Sequence, residues 1–107
     1  MYGIGSMDKY MSYLWRESTS ANWWRIQTTD PSVKRKLRRR DTAKLVVECF
    51  NHSMVIYKLQ YYTPQKAKQS FQRLTGQKLK KDAEIGVFYA ETYPILHQKS
   101  GVESGLQ

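Results

Sequence analysis

The stretch Lys44-Leu45-Val46-Val47-Glu48-Cys49-Phe50-Asn51-His52-Ser53-Met54-Val55-Ile56-Tyr57-Lys58-Leu59-Gln60-Tyr61-Tyr62 decides the fold. Two runs rich in β-branched and aromatic residues flank Asn51-His52-Ser53, a turn signal. In the first run Leu45, Val47 and Cys49 alternate with Val46, Glu48 and Phe50. In the second, Val55, Tyr57, Leu59 and Tyr61 share one face, and Met54, Ile56, Lys58, Gln60 and Tyr62 line the other. This period of two predicts a hairpin of 44–50 with 54–62.

The same punctuation stands on both sides of the hairpin. Asp30-Pro31 and Thr63-Pro64 each join a capping side chain to a proline pre-set for a first helical turn. After Asp30, Val33 and Leu37 are four apart and share a face, giving a short helix that stops near Asp41. After Thr63, Ala67, Phe71 and Leu74 fall on one side, with Lys66, Lys68, Gln69 and Arg73 outside, and Gly76 is a natural stop. Upstream, Asn22 to Thr29 alternates, with Trp24, Ile26 and Thr28 on one face and Trp23, Arg25 and Gln27 on the other. Downstream, Ile85 to Glu91 reads as a last strand, closed by Pro94.

From residue 22 the order is β-α-β-β-α-β. That predicts an α+β, ferredoxin-like split βαβ sandwich: a four-stranded antiparallel sheet with two helices on one face. Before it, Met7, Met11, Leu14 and Trp15 fit a helical template, giving an N-terminal amphipathic helix from a Ser6 cap to about Glu17. The expected division is a lead-in from Met1 to Gly5 with this helix over 1–20, one α+β domain over 21–97, and a loose tail over 98–107. The element order resembles the RNA-recognition-motif superfold. The third strand, Ser53-Met54-Val55-Ile56-Tyr57-Lys58-Leu59-Gln60-Tyr61, lacks that family's glycines, so no binding residue is carried over from it.

Composition narrows the function classes. The chain has 107 residues, enough for one domain, and a formal net charge of +9. Its three Trp, eight Tyr and three Phe are too many for a disordered chain. Cys49 is the only cysteine, so no internal disulfide forms. With His52 and His97 the only histidines, a zinc site would need carboxylates. No catalytic signature, P-loop or metal dyad is present, and no cofactor is expected. Gly3-Ile4-Gly5 lacks the rest of a dinucleotide fingerprint. No run is long enough to span a membrane, and no signal pattern opens the chain, so an intracellular, cytoplasmic setting is expected.

The charge is not spread evenly. Lys34-Arg35-Lys36-Leu37-Arg38-Arg39-Arg40 places six cations in seven residues on the helix after Pro31. Same-sign neighbours repel, and a merely solvated face mixes signs. The run therefore points to an anion, with a nucleic-acid backbone leading. Lys78, Lys80 and Lys81 form a second cluster. If the helices cover one sheet face, Trp23, Arg25, Lys58 and Tyr62 lie on the other, as stacking and phosphate candidates. The expected function is a small, non-enzymatic DNA- or RNA-binding protein. The alternative is a small phage- or plasmid-type regulator that binds a host protein, with a homodimer as a further arrangement.

Overall fold

A computed structural model describes residues 9–18, 22–51 and 53–93. The elements are β1 (Tyr10–Arg16), β2 (Trp23–Thr28), α1 (Pro31–Arg38), β3 (Lys44–Glu48), β4 (Val55–Gln60), α2 (Pro64–Thr75), β5 (Lys80–Lys81) and β6 (Phe88–Thr92). The six strands form one antiparallel sheet in the order β3-β4-β2-β1-β6-β5. Met1–Gly5, the Ser6 cap, Met7, His52, Pro94, His97 and the tail from Gln98 lie outside the described residues.

Both helices start as their capping chemistry dictates. The Asp30 Oδ1 accepts from the Ser32 N–H at 2.8 Å, and the Thr63 Oγ1 accepts from the Lys66 N–H at 3.1 Å. α2 ends at Gly76, whose φ of 71° is left-handed and favours glycine. Val33 and Leu37 of α1 pack with Ala67, Phe71 and Leu74 of α2 against Leu14, Trp24, Ile26, Val55, Tyr57, Leu59 and Ala90. Both helices therefore cover the same sheet face, called inner here.

Among the described residues a strand stands in place of the expected N-terminal helix, and the sheet has six strands rather than four. Tyr10–Arg16 is a central strand, β1, paired with β2 on one side and β6 on the other. Tyr10, Tyr13 and Trp15 are good strand formers, and Ser12 and Leu14 turn inward while Met11, Tyr13 and Trp15 turn outward. The alternation is hidden in the sequence because one inward residue is polar. Ser12 is fully buried, and its hydroxyl meets the Thr28 Oγ1 at 2.7 Å. The network continues from the Asp30 N–H to the Thr28 Oγ1 at 3.0 Å, and from the Thr92 hydroxyl to the Asp30 Oδ2 at 2.6 Å. These bonds satisfy polar groups that would otherwise be costly to bury.

The path β2-α1-β3-β4 keeps the split arrangement: β2 and β3 run parallel with β4 between them. In the four-stranded fold the last strand would lie beside β2. Here β1 takes that place, and β6 pairs outside β1. The short β5 completes a hairpin with β6 through a turn. Its Asp82 Oδ1 accepts from the Glu84 and Ile85 N–H groups at 2.9 and 3.2 Å, and Gly86 sits at φ 74°.

The hairpin of β3 with β4 is present, but its faces differ from strict alternation. Leu45 lies opposite Tyr57, and the next pair is Val47 with Ile56, so Val46 is an extra, bulged residue. The bulge turns Val47 outward with Ile56 and brings Glu48 inward with Val55. All five β3 residues are exposed, because neither helix reaches over this edge.

Candidate nucleic-acid interface

Residues directly opposite on neighbouring strands share a face, so the pairings define rows across the helix-free outer face. One row runs Lys44 on β3, Lys58 on β4, Arg25 on β2 and Trp15 on β1. The next runs Val47, Ile56, Gln27, Tyr13, Tyr89 and Lys80, from one edge of the sheet to the other. Trp23 lies opposite Gln60, and the Lys58 Nζ stands 4.9 Å from the centre of its ring. The Arg25 Nε donates to the Glu17 Oε2 at 3.0 Å. Tyr13, Trp15, Gln27, Ile85 and Val87 line an open groove of about 450 Å³ on this face.

Sequence reasoning placed Trp23, Arg25 and Lys58 together here, and the sheet does bring them together. Tyr62 follows the end of β4, beyond the paired rows, and is 68% exposed. Tyr13 and Trp15 were hidden by the helical reading of β1. Lys44 and Tyr89 enter only through pairings between residues far apart in the chain. For Trp15 the available signal was the run Tyr13-Leu14-Trp15, whose outer residues flank an apolar one.

The basic run lies behind the sheet, on α1, and the structure divides it. Arg40 is half-buried, and its Nη1 donates to the Ser70 Oγ at 3.0 Å and the Tyr61 Oη at 3.4 Å. The Lys36 Nζ donates to the Leu74 carbonyl at 3.0 Å, fastening α1 to the end of α2. Lys34 is half-buried. Arg35, Arg38 and Arg39 are exposed, and their side chains make no hydrogen bond or ion pair among the described residues. Arg35 and Arg38 sit in the last turn, where cations favour the helix dipole.

The second cluster also splits. Lys78 is exposed between α2 and β5. Lys80 joins the outer row opposite Tyr89. Lys81, on the other side of the strand, lies 5.7 Å from the Phe88 ring, which Lys68 of α2 also approaches at 4.9 Å. Among the described residues, no three His, Cys, Asp or Glu side chains gather to hold a metal ion, and no helix is long and apolar enough to cross a membrane. Comparison with protein-family models, curated proteins and solved structures finds no match to this chain.

Proposed function

We propose that this is a small, non-enzymatic nucleic-acid-binding protein that contacts phosphates through the exposed arginines of α1. One observation carries the reading: Arg35, Arg38 and Arg39 are held on one short helix with no carboxylate bridging them among the described residues. The dipole favours cations there, but only by about 0.3–1 kcal/mol each, and like charges beside one another oppose it. A phosphate backbone removes that repulsion and gains charge-assisted hydrogen bonds.

The test is duplex binding by fluorescence anisotropy across a salt series, with wild type beside Arg35→Gln/Arg38→Gln/Arg39→Gln. Each phosphate contact contributes about 0.9 to the log–log salt slope on B-DNA. Three lost contacts flatten the slope by about 2.7, and this difference amounts to roughly fortyfold in affinity between about 50 and 200 mM salt. An unchanged slope refutes the assignment of phosphate binding to α1.

One feature favours a second reading, the protein-binding regulator. The β3 edge is exposed along its length, and Phe50 beside it is 100% exposed. An apolar, unpaired edge is a template for strand addition by a partner. A protein partner that survives nuclease treatment and is lost from Val47→Lys would support this reading over the first.

A further inference from the structure

We propose that the outer sheet face is a site for unpaired nucleobases, so that the ligand is single-stranded nucleic acid, stacked on Trp15 and Trp23 and tracked by Lys44, Lys58 and Arg25. The inference rests on the nucleic-acid reading above and specifies the strand form and a second surface. Its first support is the cationic row. Lys44, Lys58 and Arg25 stand directly opposite one another on three adjacent strands. Opposed side chains in such a row have Cβ atoms about 5 Å apart, where like charges destabilise a sheet. Glu17 answers Arg25, and Glu91 is held by Lys9 at 3.4 Å. Lys44 and Lys58 have no carboxylate partner among the described residues. A sheet that needed only solubility would interleave signs here.

The second support is where the row leads. It ends on Trp15, with Trp23, Tyr13 and Tyr89 on the same face. Cations beside flat aromatic rings match a single strand, whose phosphates and base faces alternate along its length. A duplex hides its base faces in the stack and offers this platform phosphates alone. The groove beside Trp15 contains one side-chain amide, that of Gln27, which makes no hydrogen bond among the described residues. Its amide both donates and accepts, as a base edge requires. An acidic peptide would satisfy the lysines but would leave the aromatic rings without flat partners.

The experiment is anisotropy with a labelled oligothymidylate roughly 12 nucleotides long, and with a duplex of the same length. The proteins are wild type, Trp15→Leu, Trp15→Phe, Lys44→Gln/Lys58→Gln and the α1 triple variant. Trp15→Leu is expected to weaken single-strand binding by roughly tenfold or more and to leave duplex binding within about twofold. Trp15→Phe, which keeps a ring, should retain most of the affinity. This rescue separates stacking from damage to the fold. Lys44→Gln/Lys58→Gln should flatten the single-strand salt slope by about 1.4. Single-strand binding unchanged in Trp15→Leu, with both forms weakened in the α1 triple variant, overturns this inference and leaves the α1 reading standing. Single-strand binding lost in Trp15→Leu, with the α1 variant like wild type, supports the platform and refutes the α1 assignment. No binding of either form by wild type overturns both.

Discussion

Thr28→Val tests the bond that holds β1 in the sheet. The Thr28 Oγ1 accepts from the Asp30 N–H at 3.0 Å and shares a hydrogen with the Ser12 Oγ at 2.7 Å. Valine keeps the shape and removes the oxygen. Ser12 and Thr28 are fully buried and Asp30 is 7% exposed, so no water replaces what is lost. Two buried polar groups are left unpaired, at about 1–3 kcal/mol each. The added methyl recovers up to about 0.8 kcal/mol. The net loss is about 1–5 kcal/mol, a large part of the ~5–15 kcal/mol that holds a domain together. In a domain near 100 residues, Tm falls by about 4–8 °C per kcal/mol. The assay is urea denaturation of wild type, Thr28→Val, Ser12→Ala and the double variant. In the double variant the Ser12 hydroxyl is gone as well, so the two losses should fall short of additivity by about 1 kcal/mol. A Thr28→Val loss under about 0.5 kcal/mol, with additive losses in the double variant, would show that the two hydroxyls do not meet. β1 would then not be registered against β2 as described, and Tyr13 and Trp15 would lose their place on the outer face.

Three further outcomes follow from the same structure. Arg40→Met should destabilise by about 1–3 kcal/mol in a thermal melt, because it strips the Ser70 and Tyr61 hydroxyls of a charged donor, whereas Arg38→Gln should stay within about 0.5 kcal/mol. Phe71→Ala, at a fully buried centre of the helix layer, should cost about 3–5 kcal/mol by urea denaturation. Gly76→Ala should cost about 1 kcal/mol although its methyl meets open space, because the strain lies in a φ of 71°; Gly76→Asn should cost less.

Both helices were legible in the sequence because their signals are local. Asp30-Pro31, Thr63-Pro64 and Gly76 act within one turn of themselves, and the apolar spacing of each helix fits one face. The alternation in β2 and β4 was legible for the same reason: Trp24, Ile26, Val55, Tyr57 and Leu59 are apolar and inward. β1 was not, because its inward face carries the polar Ser12 at its middle, whose partner lies sixteen residues away. The bulge at Val46 was also hidden, since three neutral apolar residues in a row carry no mark of which is extra. Of the candidate site, Trp23, Arg25 and Lys58 followed from alternation. Trp15 and Lys44 needed the strand order β3-β4-β2-β1, which is set by long-range pairing.

The α1 arginines and the outer row lie on opposite sides of the sheet, which at first sight makes them rival surfaces. The edges of the sheet relate them. α1 ends at Arg38, and the turn closed by the Ala43 N–H on the Arg40 carbonyl at 3.0 Å leads into Lys44. Lys44 opens the edge strand β3 and is the first member of the cationic row. It stands five positions after Arg39, so the two Cα atoms are at most about 18 Å apart. No described helix covers β3 between them. The other edge repeats the device: in β5, Lys80 faces outward opposite Tyr89 and Lys81 faces the helix layer beside Phe88. A polyanion that rounds either edge therefore meets cations on both sides of the turn. Edge strands discourage unwanted pairing with charged residues, lysine above all. In β5 the lysines that blunt the sheet's edge, and in β3 the single Lys44 beside an otherwise apolar run, also join the charge of its two faces.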